Sequence, residues 1–267
     1  VDSTYIELKD IADELEQEEE RVEFNPQRLE LVNDRLDLLY SLQKKHGKQS
    51  VEELNETLRR AFSFDSFRWQ QEKGIAIRES FRADGLNRVL YKCTECLTEG
   101  EMEGRGTTLR CRHCGSSWEL DERGSLISQS GTGRFSHVPD WYRWERECVR
   151  EELRQGSYRL DVPVDIRMLV DTNCLYRVGR GRLRHDAAGF RLTGCDGKLD
   201  YCQPPLSSYT LNADYFWYEL GDMISIGDRK ALYYCFPTEA GDVVAKTRLA
   251  TEELYQLEKA RVPKRVR

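Results

Sequence analysis

Apolar residues recur at two different periods along this chain, and the change of period divides it. In residues 1–60 the step is three to four. Tyr5, Leu8, Ile11, Ala12 and Leu15 fall on one stripe, and Leu29, Val32, Leu36 and Leu39 on the next, the spacing of amphipathic helices. The acidic run ELEQEEE keeps the other faces of the first helix wet. Asn25 is placed to accept from the first free N–H groups of the second helix, and Pro26 stands at N1, where no donor is needed. Gly47, after Lys44, Lys45 and His46, suits the left-handed position that ends it. Ser50 and Glu53 have capping-box spacing ahead of Leu54 and Leu58, so a third helix starts there. The prediction is an amphipathic helical hairpin over residues 1–60 whose stripe needs a partner.

From about residue 61 aromatics crowd in (AFSFDSFRWQ) and short alternating runs replace the long helical steps. The boundary is expected near residues 54–62. SHVPDWYRWERECVREELRQG predicts one more helix, with Trp141, Trp144, Cys148 and the Val149–Leu153 edge inward, Asp140 as cap and Gly156 as its end. Its Arg143, Glu145, Arg146, Glu147, Arg150 and Glu151 read as a solvated face with i,i+4 pairs rather than a catalytic cluster. After Gly156 come seven strand-like runs: YRLDVPVDIRMLV, CLYRVGRGRL, GFRLTGC, KLDYCQ, YFWYELGDMISIG, ALYYCFP and DVVAKTR. Turn signals such as GCDGK, GDRK and TEAGD separate them, and LATEELYQLEKARV closes the chain as a helix. A curved antiparallel sheet or small barrel plugged by that helix is predicted, with a pleckstrin-homology-like β-roll as the specific expectation.

The chemistry that stands out is CTECLTEGEMEGRGTTLRCRHC, two Cys-x-x-Cys pairs fourteen residues apart. Three readings compete: a metal site, a redox pair, and ordinary buried thiols. A redox pair needs one Cys-x-x-Cys opening a helix, and neither pair is followed by a helical pattern. Two intervening residues let each pair fold a tight knuckle with both sulfurs facing one ion, so Cys93, Cys96, Cys111 and Cys114 are the expected ligands of a structural Zn2+ in a zinc ribbon. Four thiolates leave no open position for a substrate. Gly115 follows the second pair, where a positive φ is wanted, but Leu97 stands at the equivalent place in the first, so a differently shaped first knuckle is expected. Lys92, Arg110 and Arg112 flank the ligands and are expected to offset their charge. His113 is an alternative ligand of strained geometry. Cys148, Cys174, Cys195, Cys202 and Cys235 show no paired spacing, and Cys148 and Cys235 read as core residues.

The fold class expected is therefore α+β: helical hairpin 1–60, connecting segment 61–90, zinc ribbon 91–128, linker and helix 129–156, and β-roll with C-terminal helix 157–267. Residues 1–60 carry 9 Lys and Arg against 16 Asp and Glu, a net −7, and the remainder 32 against 31, a net +1. An acidic front repels phosphate, so nucleic acid is not an expected partner there. Nine unexported cysteines point to reduced thiols. The chain opens VDSTYIELKD, with neither a basic start nor an apolar block, so no signal peptide is expected, and Val at its start reads as a fragment. No apolar run is long enough to span a bilayer. A cytoplasmic location is expected, with peripheral contact at the inner face of the membrane as a further expectation.

Two stretches resemble known families. VEFNPQRLELVNDRLDLLYSLQKKHG is similar to the coiled-coil arm of the RecN family, ATPases of DNA double-strand-break repair, over residues 4–54. The resemblance implies a hairpin arm that mediates protein contacts. The phosphate-binding loop G-x-x-x-x-G-K-[ST] is absent. FRADGLNRVLYKC, HVPDWYRWERECVREEL, LTGCDGKL and ALYYCFP…GDVVAKTRLATEELY resemble the C-terminal region of bacterial proteins that carry a 1-acylglycerol-3-phosphate O-acyltransferase domain, over residues 61–260. That domain's His-x-x-x-x-Asp motif is missing: five positions after His46, His113, His137 and His185 stand Val51, Trp118, Tyr142 and Phe190. No catalytic residue is therefore predicted. The leading expectation is a zinc-stabilised, non-catalytic accessory module of phospholipid synthesis that binds a protein partner, a catalytic domain or lipid headgroups. The alternative is a RecN-like interaction arm, and a nucleic-acid-binding ribbon ranks last because its part of the chain has no basic excess. The two resemblances point to unrelated proteins and imply a chimera or fusion joined near residues 51–60.

Overall fold

A computed structural model describes residues 2–21, 25–130, 132–170, 174–239 and 241–262. The side chain of Leu15, residues 22–24 between the first two helices, and Ala240 in the TEAGD turn lie outside the described residues. Contacts divide the chain into two compact units, Val1–Phe64 and Asp65–Arg267.

The first unit holds α1 (Asp2–Arg21), α2 (Pro26–His46) and α3 (Val51–Phe62). The caps explain the boundaries. Asn25 Oδ1 accepts the Arg28 N–H at 2.9 Å, and Gly47 ends α2 at φ 60°. Ser50 Oγ accepts the Glu53 N–H at 3.1 Å, while Glu53 reaches back to the Gln49 N–H at 3.0 Å, a reciprocal box that satisfies two orphan donors. The stripe of α2 faces solvent: Leu29, Val32 and Leu36 are all exposed. Among the described residues of this unit only Leu54 is buried.

The second unit begins with α4 (Ser66–Lys73), a helix within the expected connecting segment 61–90. Asp65 caps it through the Arg68 N–H at 3.0 Å and also lies 2.7 Å from His137 Nε2. A four-stranded antiparallel sheet follows: β1 (Met102–Arg105), β2 (Thr108–Cys111), β3 (Ser117–Leu120) and β4 (Leu126–Ser130), in that order. Then comes α5 (Val138–Gln155). Asp140 lies in its first turn and not at the cap, which His137 occupies, because the helix already starts at Val138 with Pro139 in its first turn.

The larger sheet comprises β5 (Leu160–Leu169), β6 (Leu175–Asp186), β7 (Gly189–Gly194), β8 (Leu199–Gln203), β9 (Asn212–Asp214), β10 (Met223–Gly227) and β11 (Leu232–Pro237). It is antiparallel in the order β8-β7-β6-β5-β11-β10-β9. It curls into a half-barrel, and Gln203 on one edge accepts the Gly227 N–H of β10 at 2.9 Å. Val162, Val164, Ile166, Leu183, Leu192, Ile224 and Cys235 fill its interior. The C-terminal helix α6 (Val243–Arg261) packs with Val244 in that core.

Two strand expectations fail here. DVVAKTR is the first part of α6, not a strand, since Val244, Ala245 and Leu249 bury one helical face that outweighs their β-propensity. YFWYELGDMISIG is broken: Phe216 and Tyr218 adopt positive φ in a turn at Trp217–Glu219, and the strand starts only at Met223. The charged face of α5 is solvated only in part, with Arg143, Glu147 and Glu151 exposed. Glu145 is wholly buried, and Arg146 and Arg150 clamp Glu252 and Glu253 of α6 at 2.7–3.1 Å. No helix among the described residues is long and apolar enough to cross a membrane.

Candidate metal centre

The two Cys-x-x-Cys segments fold as two knuckles with the same backbone hydrogen-bond pattern. In the first, the Leu97 N–H donates to Cys93 O (3.1 Å) and the Cys93 N–H to Thr98 O (3.0 Å). In the second, the Gly115 N–H donates to Cys111 O (2.9 Å) and the Cys111 N–H to Ser116 O (2.8 Å). Gly115 has φ 80° and Leu97 φ 63°. The expected difference in knuckle shape is thus absent: leucine is held in the left-handed region that glycine occupies freely in its counterpart.

This repeat brings the sulfurs of Cys93, Cys96, Cys111 and Cys114 within 4.8 Å of one another, a group that could hold a metal ion. The cross-knuckle distances Cys93–Cys114 and Cys96–Cys111 are both 3.7 Å. Cys93 and Cys111 are buried, Cys96 is half-buried and Cys114 is exposed. Burial pushes the Cys93 and Cys111 thiols up. Burial also opposes ionisation of Cys96, but the Thr98 hydroxyl and N–H bring it down to about 6. At Cys114 the Ser116 hydroxyl lowers the thiol. Thr98 Oγ1 lies 3.4 Å from Cys96 Sγ and Ser116 Oγ 3.3 Å from Cys114 Sγ, so each hydroxyl can donate to a thiolate at the same place in its knuckle. Sequence reasoning missed this pair, although Cys-x-x-Cys-x-[Ser/Thr] is visible in both halves.

The site stands on a packed base. Cys93 and Cys111 belong to a core cluster with Leu90, Leu109, Trp118 and Trp141, and the two indoles meet edge to face at 4.9 Å. Helix α5 grips the residue before the first ligand twice: Trp141 Nε1–H donates to Lys92 O at 3.0 Å, and Glu145 Oε1 accepts the Lys92 N–H at 2.9 Å. The Lys92 ammonium is committed elsewhere, at 3.1 Å from Glu99 and 3.8 Å from Glu152, and Arg112 lies 3.4 Å from Glu101. Both are thereby neutralised by carboxylates, contrary to the expectation that they offset the thiolates. His113 Nδ1 lies 3.4 Å from the Thr98 hydroxyl, at the rim of the site.

The five remaining cysteines lie outside this cluster, with Cys235 in the half-barrel core and Cys148 half-buried. Two histidine pairs occur. His137 bonds Asp65, and His185 bonds the Tyr158 hydroxyl at 3.0 Å while stacking on Phe190 at 3.8 Å. Burial holds His185 neutral, with its pKa near 3. The Tyr158 hydroxyl also has the buried Thr247 side chain within hydrogen-bond reach, so His185 belongs to a packed polar cluster inside the fold. Comparison with models of known families, with curated proteins and with solved structures found no match.

Proposed function

We propose that this chain is a zinc-stabilised binding module without an active site of its own. The observation that carries the reading is the sulfur spacing. A Zn–S bond of about 2.3 Å sets the corners of a tetrahedron about 3.8 Å apart, and the two cross-knuckle distances are 3.7 Å. Four thiolates saturate such an ion, so it would brace the fold and polarise no substrate. Seven antiparallel strands curled around a C-terminal helix support a pleckstrin-homology-like roll, a scaffold for binding as much as for catalysis. The ribbon-like sheet, α5 and the half-barrel would then correspond to the C-terminal region of the acyltransferase proteins that this chain resembles, acting beside a catalytic domain or another protein. Elemental analysis of purified protein should give one zinc per chain, with no acyl transfer to lysophosphatidate. Metal well below that stoichiometry, or measurable transfer by this chain alone, counts against the reading.

A second reading concerns the first unit, as a RecN-like arm for protein contact. Leu29, Val32 and Leu36 favour it, exposed at helical spacing on α2. Replacing Val32 and Leu36 with Asp in the full chain should leave helix content unchanged by circular dichroism and reduce association in sedimentation. Association that survives the substitutions removes the arm reading.

A further inference from the structure

The outer face of the half-barrel carries an arrangement that the metal centre leaves unused. Along β5 to β8 the inward positions are apolar side chains or glycine apart from His185 and Gln203. Outward on β6 stand Arg177, Arg180, Arg182 and Arg184, all exposed. Arg167 of β5 is in register with Arg177, and Arg191 of β7 with Arg184. Four aspartates share the face, Asp161, Asp165, Asp186 and Asp200, so six arginines leave it a net +2 in a chain of net −6. Gly181 shows how GRGRLR builds it. A Cβ there would lie 2.4 Å from both Ile166 Cδ1 and Thr193 O, so the inward position takes glycine while its neighbours project arginines outward.

Asp200 takes the Arg191 fork bidentately at 3.0 and 2.8 Å, but the other two paired aspartates hold their guanidiniums in place without consuming them. Asp161 lies against Arg182 and Arg184, and Asp165 is 3.5 Å from Arg177 and 4.0 Å from Arg167. One carboxylate thus anchors two forks of five donors each, and most of those donors keep no carboxylate partner. Arg180 makes no hydrogen bond or ion pair among the described residues. The arginine rows also run into aromatic rings: across the β5–β11 register Arg167 faces Tyr234, and Asp165 faces Phe236. The Arg167 guanidinium lies 5.4 Å from the Phe236 ring, and Trp217 lies 5.5 Å from Tyr234 and 5.9 Å from Phe236. Tyr218, edge-on to Trp217, is 80 % exposed.

We propose that this face binds single-stranded nucleic acid, with arginine forks on phosphates and the exposed Tyr218 ring under a base. Arginine rather than lysine at all six cationic positions suits bidentate phosphate contacts, and an aromatic platform beside a cationic track is the general means of holding an unpaired strand. An anionic bilayer fits less well: Phe236 is buried, Trp217 and Tyr234 are half-buried, and the three pack on one another instead of projecting. Net charge by sequence conceals the face, because arginine and aspartate counts nearly cancel until the sheet sorts them. The inference goes beyond the proposed function and rests on neither the metal nor the resemblances.

The test is fluorescence anisotropy of the full chain with a labelled 20-nucleotide uridine RNA, beside flotation with phosphatidylserine vesicles. Saturable RNA binding is expected, with log affinity falling against log salt at a slope of about −2 to −3 for three to four phosphates. Arg180→Glu should weaken it about tenfold or more, and Tyr218→Ala about fivefold, with circular dichroism unchanged. Arg123→Glu, the same charge change on the β3–β4 turn, should alter it less than about twofold. Absence of RNA binding at low salt overturns the proposal. So does an equal loss in Arg123→Glu, indifference to both face variants, or capture by vesicles alone.

Discussion

The carboxyl group of Glu145, wholly buried in α5, accepts the backbone N–H of Lys92 at 2.9 Å, one residue before the first sulfur of the metal site. Its other oxygen has no hydrogen-bond partner. Burial raises the pKa of Glu145 well above the ordinary carboxyl value, so the folded protein binds a proton that the unfolded chain releases near pH 4.3. The stabilising effect of that proton is complete below the unfolded value and is lost as pH rises through the folded one. Glu145→Gln keeps an acceptor for Lys92 and removes the titration. The variant should therefore gain on the wild type by about 1.4 kcal/mol per pH unit between those two values, and lose the advantage below pH 4. Denaturant melts from pH 4 to 8 measure it, and a pH-independent difference rejects the assignment.

Metal removal should act well beyond the knuckles. Cys93 and Cys111 share a core with Trp118 and Trp141, so loss of the ion frees the sulfurs to separate and unpacks both indoles. Metal binding of this kind supplies about 10–16 kcal/mol in small zinc peptides, comparable with the stability of a whole domain. A strong chelator, or Cys93→Ser, should abolish near-ultraviolet dichroism from the indole pair and expose the 91–128 region to protease. A retained near-ultraviolet signal after full chelation would show that the core stands without metal.

Leu97 supplies a sharper test of the same site. It holds φ 63° where its counterpart Gly115 holds 80°, and a non-glycine residue in that region carries strain of about 1–3 kcal/mol. Its side chain is 55 % exposed, so little packing is lost on truncation. Leu97→Gly should raise the stability of the metal-loaded protein by about 1 kcal/mol, and Gly115→Leu should lower it by a similar or larger amount. Equilibrium unfolding of both variants decides the matter: destabilisation by Leu97→Gly means that the leucine contributes packing that outweighs its backbone.

How far the sequence could be read depended on whether the deciding interaction was local. The caps at Asn25, Gly47 and Ser50 follow from residues within four positions, and each occurs as the local pattern dictates. The cysteine cluster was legible for the same reason, since each knuckle is a four-residue turn. The failures are non-local. Glu145 looked like one member of a charged helical face, and only the approach of Lys92 from 53 residues away makes it a buried acceptor. DVVAKTR looked like a strand because Val243 and Val244 favour one, until burial of Val244 and Ala245 against the half-barrel and α5 selects helix. The arginine face is the extreme case, since four strands must align before the charges separate.

Glu253 responds to acid in the opposite sense from Glu145. Its carboxylate on α6 accepts from Arg150 Nε at 2.7 Å and from Arg146 Nη1 at 3.1 Å. Burial would raise its pKa, but the two guanidiniums prevail and hold it below the ordinary range. Stability from this group is present above the unfolded value, near pH 4.3, and is lost as pH falls through the folded one. Breaking a buried ion pair costs about 3–5 kcal/mol, but Arg146 and Arg150 remain partly solvated, which reduces the effect to about 1–2 kcal/mol. Glu253→Gln should therefore destabilise the second unit at pH 7 and converge with the wild type only as acid protonates the folded carboxylate, below the unfolded value. Because α5 and α6 are joined here, hydrogen exchange should quicken in both helices together. Exchange that quickens in α6 alone would show that other contacts hold α5, and that the clamp is incidental to the pairing of the helices.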